Sequence, residues 1–353
     1  MLPSNWFHPK HQMIGLQSPT LFGLMFALAL GGCTKAQAAD GEYREAENAL
    51  AYQRNTGGWP KNYDRKAVLT KQQLPAVLGA RAKLDSTIDN GATYQEIRIL
   101  ADAYRKSGDT RYRDAAVRGI EFLLSAQYDN GGWPQYYPRA TGYHQHITYN
   151  DDAMIGVMEL FRNIVEKDSG FEFVPEKIRS RCDTALEKGL ECILKTQVVL
   201  DGQRTVWCAQ HDRETFKPAK ARSYELASLS GAESVRIVQY LMGIEKPDPA
   251  VIEAIEGAVA WFDRVQLRGI RQVAVNAPGT AKGRDKQIVA DSDAPPLWAR
   301  FYDLKTQKPF FCSRDGVPRA SIAEISYERR NGYSWLGEYA RELLDEQYPA
   351  WKP

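Results

Sequence analysis

Several residue types and patterns are scarce in this 353-residue chain, and each scarcity excludes something. There are five cysteines and five histidines, with no C-x-x-C pair, so a zinc centre built from thiolates and imidazoles is not expected. No long run of Lys or Arg occurs and the formal charge is only +2, which argues against a nucleic-acid binder. There is one long apolar run, "LFGLMFALALGGC" at 21 to 33, and it is too short to span a bilayer comfortably. No EF-hand loop is present, so any calcium site must be assembled from separate parts of the chain.

The apolar run follows Lys10 and His11 and ends in small residues, the pattern of an export signal. Residues 1–39 are therefore expected to be a leader and 40–353 a single catalytic domain. "LGGC" before Cys33 resembles the box at which bacterial lipoproteins are cut and acylated, whereas "AQAA" at 36 to 39 offers an ordinary cleavage site. The first places a lipid anchor on Cys33; the second releases the protein. With either ending the working protein lies outside the cytoplasm: periplasmic, anchored to the outer membrane or secreted. Cys182 and Cys192 share an expected helix, where ten residues at 1.5 Å rise put them about 15 Å apart, beyond disulfide reach. Cys208 and Cys312 are expected to be buried free thiols, with a bridge between them as the alternative.

"AYQRNTGGWPKNY" (51 to 63) recurs as "SAQYDNGGWPQYY" (125 to 137) and, more loosely, as "KTQVVLDGQRTVWCAQ" (195 to 210), so that Trp59, Trp133 and Trp207 stand 74 residues apart. Amphipathic stripes run between the copies: Ile97, Leu100, Ala101 and Tyr104; Tyr112, Ala116, Ile120 and Leu123; Val157, Leu160, Phe161 and Ile164. The pattern predicts a mainly α fold, an incomplete α/α toroid of repeated helical hairpins. From residue 269 the stripes stop until about 321, and Gly, Pro and Asp accumulate. That segment reads as a loop-rich lobe of short strands, forming a groove with the toroid.

Three sets of side chains could carry chemistry. Asp89 with Asn90, and Asp151 with Asp152, each precede an expected inner helix. Helix capping is the commoner use of such residues, but equivalent positions in successive hairpins would bring the pairs together, and converging carboxylates and amide oxygens suit calcium. The second set is Arg222, Arg300, Arg314, Arg319, Arg329 and Arg330. Residues 264–341 hold fourteen Lys and Arg against eight Asp and Glu, a local excess of six. A lone arginine is usually a surface ion-pair partner, yet a cluster in loops suits a carboxylate ligand, which guanidinium grips with two parallel donors. The third set is aromatic: Trp59, Trp133, Tyr136, Tyr137, Tyr143, Tyr149 and Tyr333. Sugar rings pack on such faces, although the two Gly-Gly-Trp-Pro tryptophans suit core closure better. The three sets together describe a site for a polymeric, carboxylate-bearing sugar.

Five segments in order, "STIDNGATYQEIRIL", "QYDNGGWPQYYP", "ITYNDDAMIGVM", "ARSYELASLSGAES" and "PFFCSRDGVPR…SYERRNGYSWLG", resemble the family 10 polysaccharide lyases, which are pectate lyases. The resemblance runs from about residue 41 to the end. It implies cleavage of polygalacturonate by β-elimination with Ca2+, in a partial α/α toroid with a second lobe. It implies Asp89 and Asp151 in the calcium and catalytic centre, with Asn90 and Asp152 beside them, and Arg314 as base. Arg222, Arg300 and Arg329 match residues that hold substrate carboxylates; Arg330 is the neighbouring alternative to Arg329, and Arg319 joins by proximity alone. A monomer is expected. Two rival functions remain open: a toroidal glycoside hydrolase using Asp151 with Asp152 or Asp89, and a pectin-binding protein without turnover. Only a lyase leaves an unsaturated, ultraviolet-absorbing product.

Overall fold

The computed structural model describes residues 41–167 and 170–351; the expected leader at 1–39, Cys33 included, lies outside them. The described helices that position the site are α1 (Arg44–Tyr52), α2 (Tyr94–Ser107), α3 (Thr110–Ala126), α4 (Ala153–Val165), α5 (Glu176–Thr196), α6 (Glu233–Met242), α7 (Pro249–Arg264) and α8 (Tyr327–Gly332). Their limits follow from local chemistry. Thr93 and Glu96 form a reciprocal capping box at the start of α2, and Gly108 closes it with φ 72°. The Asp109 carboxylate accepts from the Arg111 N–H at the start of α3, and Asp248 does the same for Val251 ahead of α7. The predicted stripes are the buried faces: Ile97, Leu100 and Ala101 on α2, Tyr112, Ala116, Ile120 and Leu123 on α3, and Val157, Leu160, Phe161 and Ile164 on α4.

α2 packs on α3, α4 on α5 and α6 on α7, while α2 and α6 also flank α4, and α3 and α7 flank α5. One local device recurs at the three spaced tryptophans. Trp59, Trp133 and Trp207 are fully buried, and their indole N–H groups donate to Ala49, Leu123 and Ile193, carbonyls near the end of α1, α3 and α5. The glutamine after each of those helices, Gln53, Gln127 or Gln197, donates to a carbonyl in its own loop and to Ala115 of α3, Ala185 of α5 or Ala254 of α7, the next helix but one. Glycine is obligatory at Gly131: its φ is 90°, and a Cβ there would lie 2.0 Å from the Lys188 carbonyl oxygen.

The expected toroid is not upheld. About 45% of the structure is helix and 13% strand, and among the described residues no toroid or ring of repeats is shown. The 74-residue spacing marks the tryptophan device and not a ring period. A two-residue link joins α2 to α3, while ten residues separate α4 from α5, and strands interrupt the connections from α5 to α6 and from α7 to α8. Unequal links of this kind satisfy each apolar stripe against its neighbours without imposing a rotation that closes a ring.

Among the described residues the strands form six antiparallel pairs: β1 (Ile147–Thr148) with β4 (Gln210–His211), β2 (Val199–Leu200) with β3 (Gln203–Arg204), β5 (Leu229–Ser230) with β9 (Phe301–Tyr302), β6 (Ile270–Asn276) with β7 (Arg284–Ala290), β8 (Trp298–Ala299) with β12 (Leu336–Gly337), and β10 (Phe311–Cys312) with β11 (Pro318–Arg319). β6 and β7 pair over seven residues each, from Ile270 opposite Ala290 to Asn276 opposite Arg284, a longer hairpin than the short strands expected there. Trp298, Trp335, Phe301 and Phe311 bury the later strands in the same apolar cluster as the helices. Cys182, Cys192, Cys208 and Cys312 are free and buried.

Candidate active site

Asp89 and Asp151 sit in short 3-10 turns, Asp89–Gly91 and Asn150–Asp152, that pack against each other at the entry to α2 and α4. Both turns are tightly bent: φ is 52° at Asn90, 52° at Asp151 and 58° at Asp152, a region that Asn and Asp tolerate better than other side chains. The first turn is pinned by the Thr93 hydroxyl, which donates to the Thr87 carbonyl while accepting from the Trp59 N–H. The second is pinned by the N–H groups of Tyr149 and Asn150, which share the Ala209 carbonyl.

Neither aspartate caps a helix. Thr93 caps α2, and Asp152 stands at the cap position of α4 without a side-chain bond. The Asp89 carboxylate is 1% exposed; its Oδ2 accepts from Lys61, and its Oδ1 is buried with no partner. Asp151 is raised above the usual carboxylate range by burial and by the charges of Asp89 and Glu233, against the opposing pull of Arg300. Asp152 is pushed up to about 6, chiefly by burial, with Glu233, Asp151 and Glu159 adding and Arg236 opposing. A buried carboxylate with an unsatisfied oxygen, Asp89, beside the more exposed carboxylate of Asp151 is a setting that a hard divalent cation relieves, so the donors fit calcium. Among the described residues, no group of three or more acidic, His or Cys side chains could hold a metal alone.

Arg300 lies against this acidic pair. It pairs with Glu233 and reaches Asn150 Oδ1 at 3.3 Å and Asp151 Oδ1 at 3.7 Å, with its guanidinium 4.9 Å from the centre of the Tyr333 ring. Burial opposes its charge, yet Glu233, Tyr333 and Asp151 together hold it more firmly protonated than a free arginine.

Three more arginines gather at one phenol. Arg222 donates to the Tyr224 hydroxyl at 3.2 Å and to Glu225 Oε1 at 3.3 Å. Arg329 and Arg314 stand over the Tyr224 ring at 4.5 and 5.6 Å, and both pair with Glu328. Tyr333 joins the two arginine groups, since its hydroxyl donates to Glu225 at 2.9 Å and its ring meets Tyr224 edge-on at 5.4 Å. On the other side, His144 feels the charges of Lys61, Asp89 and Arg222 together and is lowered below the usual range, mostly by burial. Asp89, Asp151, Arg222, Arg300, Arg314 and Arg329 thus belong to one connected set.

Three expected residues stand apart from it. Arg330 makes a two-pronged bond to Asp285 at 2.6 and 2.8 Å and donates to the Ile325 carbonyl, fastening α8 to β7. Arg319 is held within its own turn by Asp315 and the Val317 carbonyl. Asn90 is exposed, donating to Asn62 at 3.1 Å, whereas Asp152 adjoins the set, feeling Glu233 and Asp151 as well as Arg236 and Glu159.

The chain matches the pectic acid lyase family over residues 53–344. It is similar to the structure of a family 10 polysaccharide lyase from Cellvibrio cellulosa, with 36% identity, a TM-score of 0.76, and coverage of 91% of this chain and 98% of that one. It is equally similar to an aspartate-to-alanine mutant of a family 10 polysaccharide lyase from the same organism in complex with trigalacturonic acid: 36% identity, TM-score 0.77, 90% and 97% coverage. No curated protein sequence matches. The chain belongs to the pectic acid lyase family. It is a polysaccharide lyase with pectate lyase activity, and neither rival function has better support.

Within that family assignment the structure adds residues that pattern reading did not single out: Lys61 on Asp89, Tyr224 beneath the arginines, and the carboxylates Glu225, Glu233 and Glu328. Glu225 and Glu233 lie inside "ARSYELASLSGAES", three and eleven residues after the arginine that drew notice. Glu328 pairs with Arg314 as well as with its neighbour Arg329, while Asp315, adjacent to Arg314, pairs with Arg319.

Proposed function

We propose that the substrate is polygalacturonate and that the chain is cut by β-elimination with Arg314 as base. The observation that carries this reading is the meeting of the Asp89 and Asp151 turns beside Arg300, with Arg222, Arg314 and Arg329 collected at Tyr224 within the same network.

The C5 proton of a galacturonate unit is α to its carboxylate, so removing it places a second negative charge on an already anionic group. Guanidinium donors aimed at that carboxylate stabilise the developing charge far better in a partly desolvated site than in water. Arg300 and Arg222 are suited to this task, each anchored by a buried glutamate that fixes its direction. Arg329 and Arg330 follow Glu328 in sequence, but only Arg329 pairs with it and stands over Tyr224, Arg330 being held by Asp285. Arg314 is largely exposed and held by Glu328, and it must leave that carboxylate to take the proton. As C5 loses its proton, the electron pair forms the C4–C5 double bond and the C4 oxygen departs with the bond to the neighbouring sugar, so no covalent intermediate is needed.

Asp89 and Asp151 are the residues that would hold Ca2+, which, when bound, acts as a Lewis acid toward the uronate carboxylate. The apolar leader and its cleavage patterns support export. The deciding measurement is ultraviolet absorbance of the products on polygalacturonate with and without a chelator. Growth of a conjugated double bond that stops on chelation is expected; saturated products, or turnover indifferent to the chelator, would remove the elimination or the metal respectively.

A further inference from the structure

Beside Arg300 lies an open recess of about 350 Å³ lined by Lys282, Lys286, Arg300, Asn331, Gly332, Tyr333 and Ser334. Lys282 stands in the turn between β6 and β7, and Lys286 lies on β7. No acidic side chain lines this recess. The two lysines differ in kind from the arginines around them. Arg222, Arg300, Arg314, Arg329 and Arg330 each pair with a carboxylate. The Lys282 ammonium instead donates to the Asn331 carbonyl, and that of Lys286 to the Tyr333 carbonyl, both at 3.1 Å; among the described residues neither makes an ion pair. Lys286 is also half-buried, and the charges of Lys282 and Arg284 act on it. Two ammonium groups converging without a counter-charge are a standing demand for an anion. Arg300 Nε, belonging to the side chain shared by the recess and the acidic turns, is buried without a partner.

We propose that this recess is an additional sugar subsite, taking the carboxylate of a uronate unit beyond the two that flank the bond being cut. The inference rests on the polygalacturonate reading above. Arg300 belongs to both places, so a chain held by Arg300 at one unit passes directly over Lys286 and Lys282 at the next. The half-buried Tyr333 ring lies in the same wall and offers an apolar surface to the sugar. Carbonyl tethers fix where the ammonium groups sit without neutralising them, so the pair is preorganised for a ligand charge.

The test is the Lys282→Ala/Lys286→Ala double variant, assayed on galacturonate oligomers of increasing length and on polygalacturonate. Loss of two partly exposed cationic contacts should raise KM for the long substrates by about 10-fold, with kcat changed by less than about two-fold and the shortest cleavable oligomer unaffected. Because both lysines also tether the 331–333 backbone, a Lys282→Arg/Lys286→Arg variant is included; it keeps the charge and should hold KM near wild type if charge, rather than folding, is the cause. Equal KM in all variants at every length overturns the subsite, as does an equal loss on short and long substrates. If wild-type protein releases no unsaturated product at all, it is the lyase reading that fails. Calorimetric titration of hexagalacturonate then still decides the subsite, which requires weaker binding to the alanine variant than to wild type.

Discussion

The ion pair of Glu233 with Arg300 fixes the direction of a largely buried guanidinium in the site, and its energetics can be worked out. The two side chains are 3% and 14% exposed. Removing one member of a buried pair leaves the other charged and desolvated, at a cost of about 3–5 kcal/mol. In Glu233→Gln, Arg300 keeps Asn150 and Asp151 as partners, so the loss should fall near the lower bound, about 3 kcal/mol. In Arg300→Met, Glu233 keeps only hydroxyl and backbone company from Ser230 and its turn, and about 4 kcal/mol is expected. The double variant removes both charges and should lose about 4 rather than 7 kcal/mol, a coupling of about 3 kcal/mol between neighbours in one network. Denaturant midpoints with unchanged slopes measure these values, and melting temperatures should follow at roughly 2 °C per kcal/mol for a chain of this size. Additivity within about 0.5 kcal/mol would refute the reasoning, since it would mean that the two charges do not feel each other. On activity, Arg300→Met should cost about 10²-fold or more in kcat and Glu233→Gln less, because the latter disturbs only the aim of the donor.

Three further outcomes are expected. Arg314→Ala should lower kcat by about 10³-fold with a smaller change in KM, and Arg314→Lys should retain more; the wild-type rate should climb toward alkaline pH because guanidinium is a base only when neutral, and an optimum near pH 5 would remove Arg314 from that role. Lys61→Met removes a cation that now occupies Asp89 Oδ2, so calcium titrated by calorimetry should bind several-fold more tightly, about 3- to 10-fold; unchanged or weaker binding would show that Lys61 does not compete there. Asp285 is held well below the usual carboxylate range by its hydrogen bonds to Arg330, against the opposing effect of burial, and Glu328 is drawn down to about 2 by Arg329 and Arg314. Depressed carboxyls stabilise the fold above their unfolded values of about 4 and lose that contribution as the pH falls through the folded values. The melting temperature should therefore hold from neutral pH to about pH 5 and then drop, and Asp285→Asn should start lower and drop less steeply; parallel acid slopes would sink that assignment.

Much of the helical framework was readable because each stripe buries one face: Ile97 with Leu100, Ile120 with Leu123, and Leu160 with Ile164 all lie on buried helix surfaces. Trp59 and Trp133 were readable as core for the same reason. The toroid was not, because a spacing of tryptophans specifies a loop device and says nothing of how the helices are rotated about an axis. At the site, Asp89 and Asp151 could be paired from equivalent positions in two similar segments, and Arg222, Arg300, Arg314 and Arg329 from clustering and resemblance. Arg330 and Arg319 could not be separated from the others by type or spacing, since what removes them is a partner supplied by the fold: Asp285 from β7 and Asp315 from the same turn. Tyr224 and Glu233 escaped notice for the reverse reason, being unexceptional in sequence and decisive only where the chain brings arginines to them.

Charge matching explains how such a site can hold an anionic polymer yet let it go. Lys61, Arg222, Arg300, Arg314 and Arg329 face Asp89, Asp151, Glu225, Glu233 and Glu328, five formal cations against five carboxylates. A neutral array exerts little long-range pull, and each arginine that turns to the substrate must share or exchange a carboxylate it already has. Binding at the reacting centre is thereby kept modest, while the fixed donors remain aimed at charge that develops only during proton removal, the condition under which an interaction accelerates the reaction instead of merely tightening the ground state. Net attraction must then come from positive charge outside the matched set. Lys282 and Lys286 supply it from the protein side, and a divalent cation at Asp89 and Asp151 would supply it at the centre. Salt should consequently raise KM more than it lowers kcat, and a mutant lacking both lysines should lose most of that salt dependence on long chains.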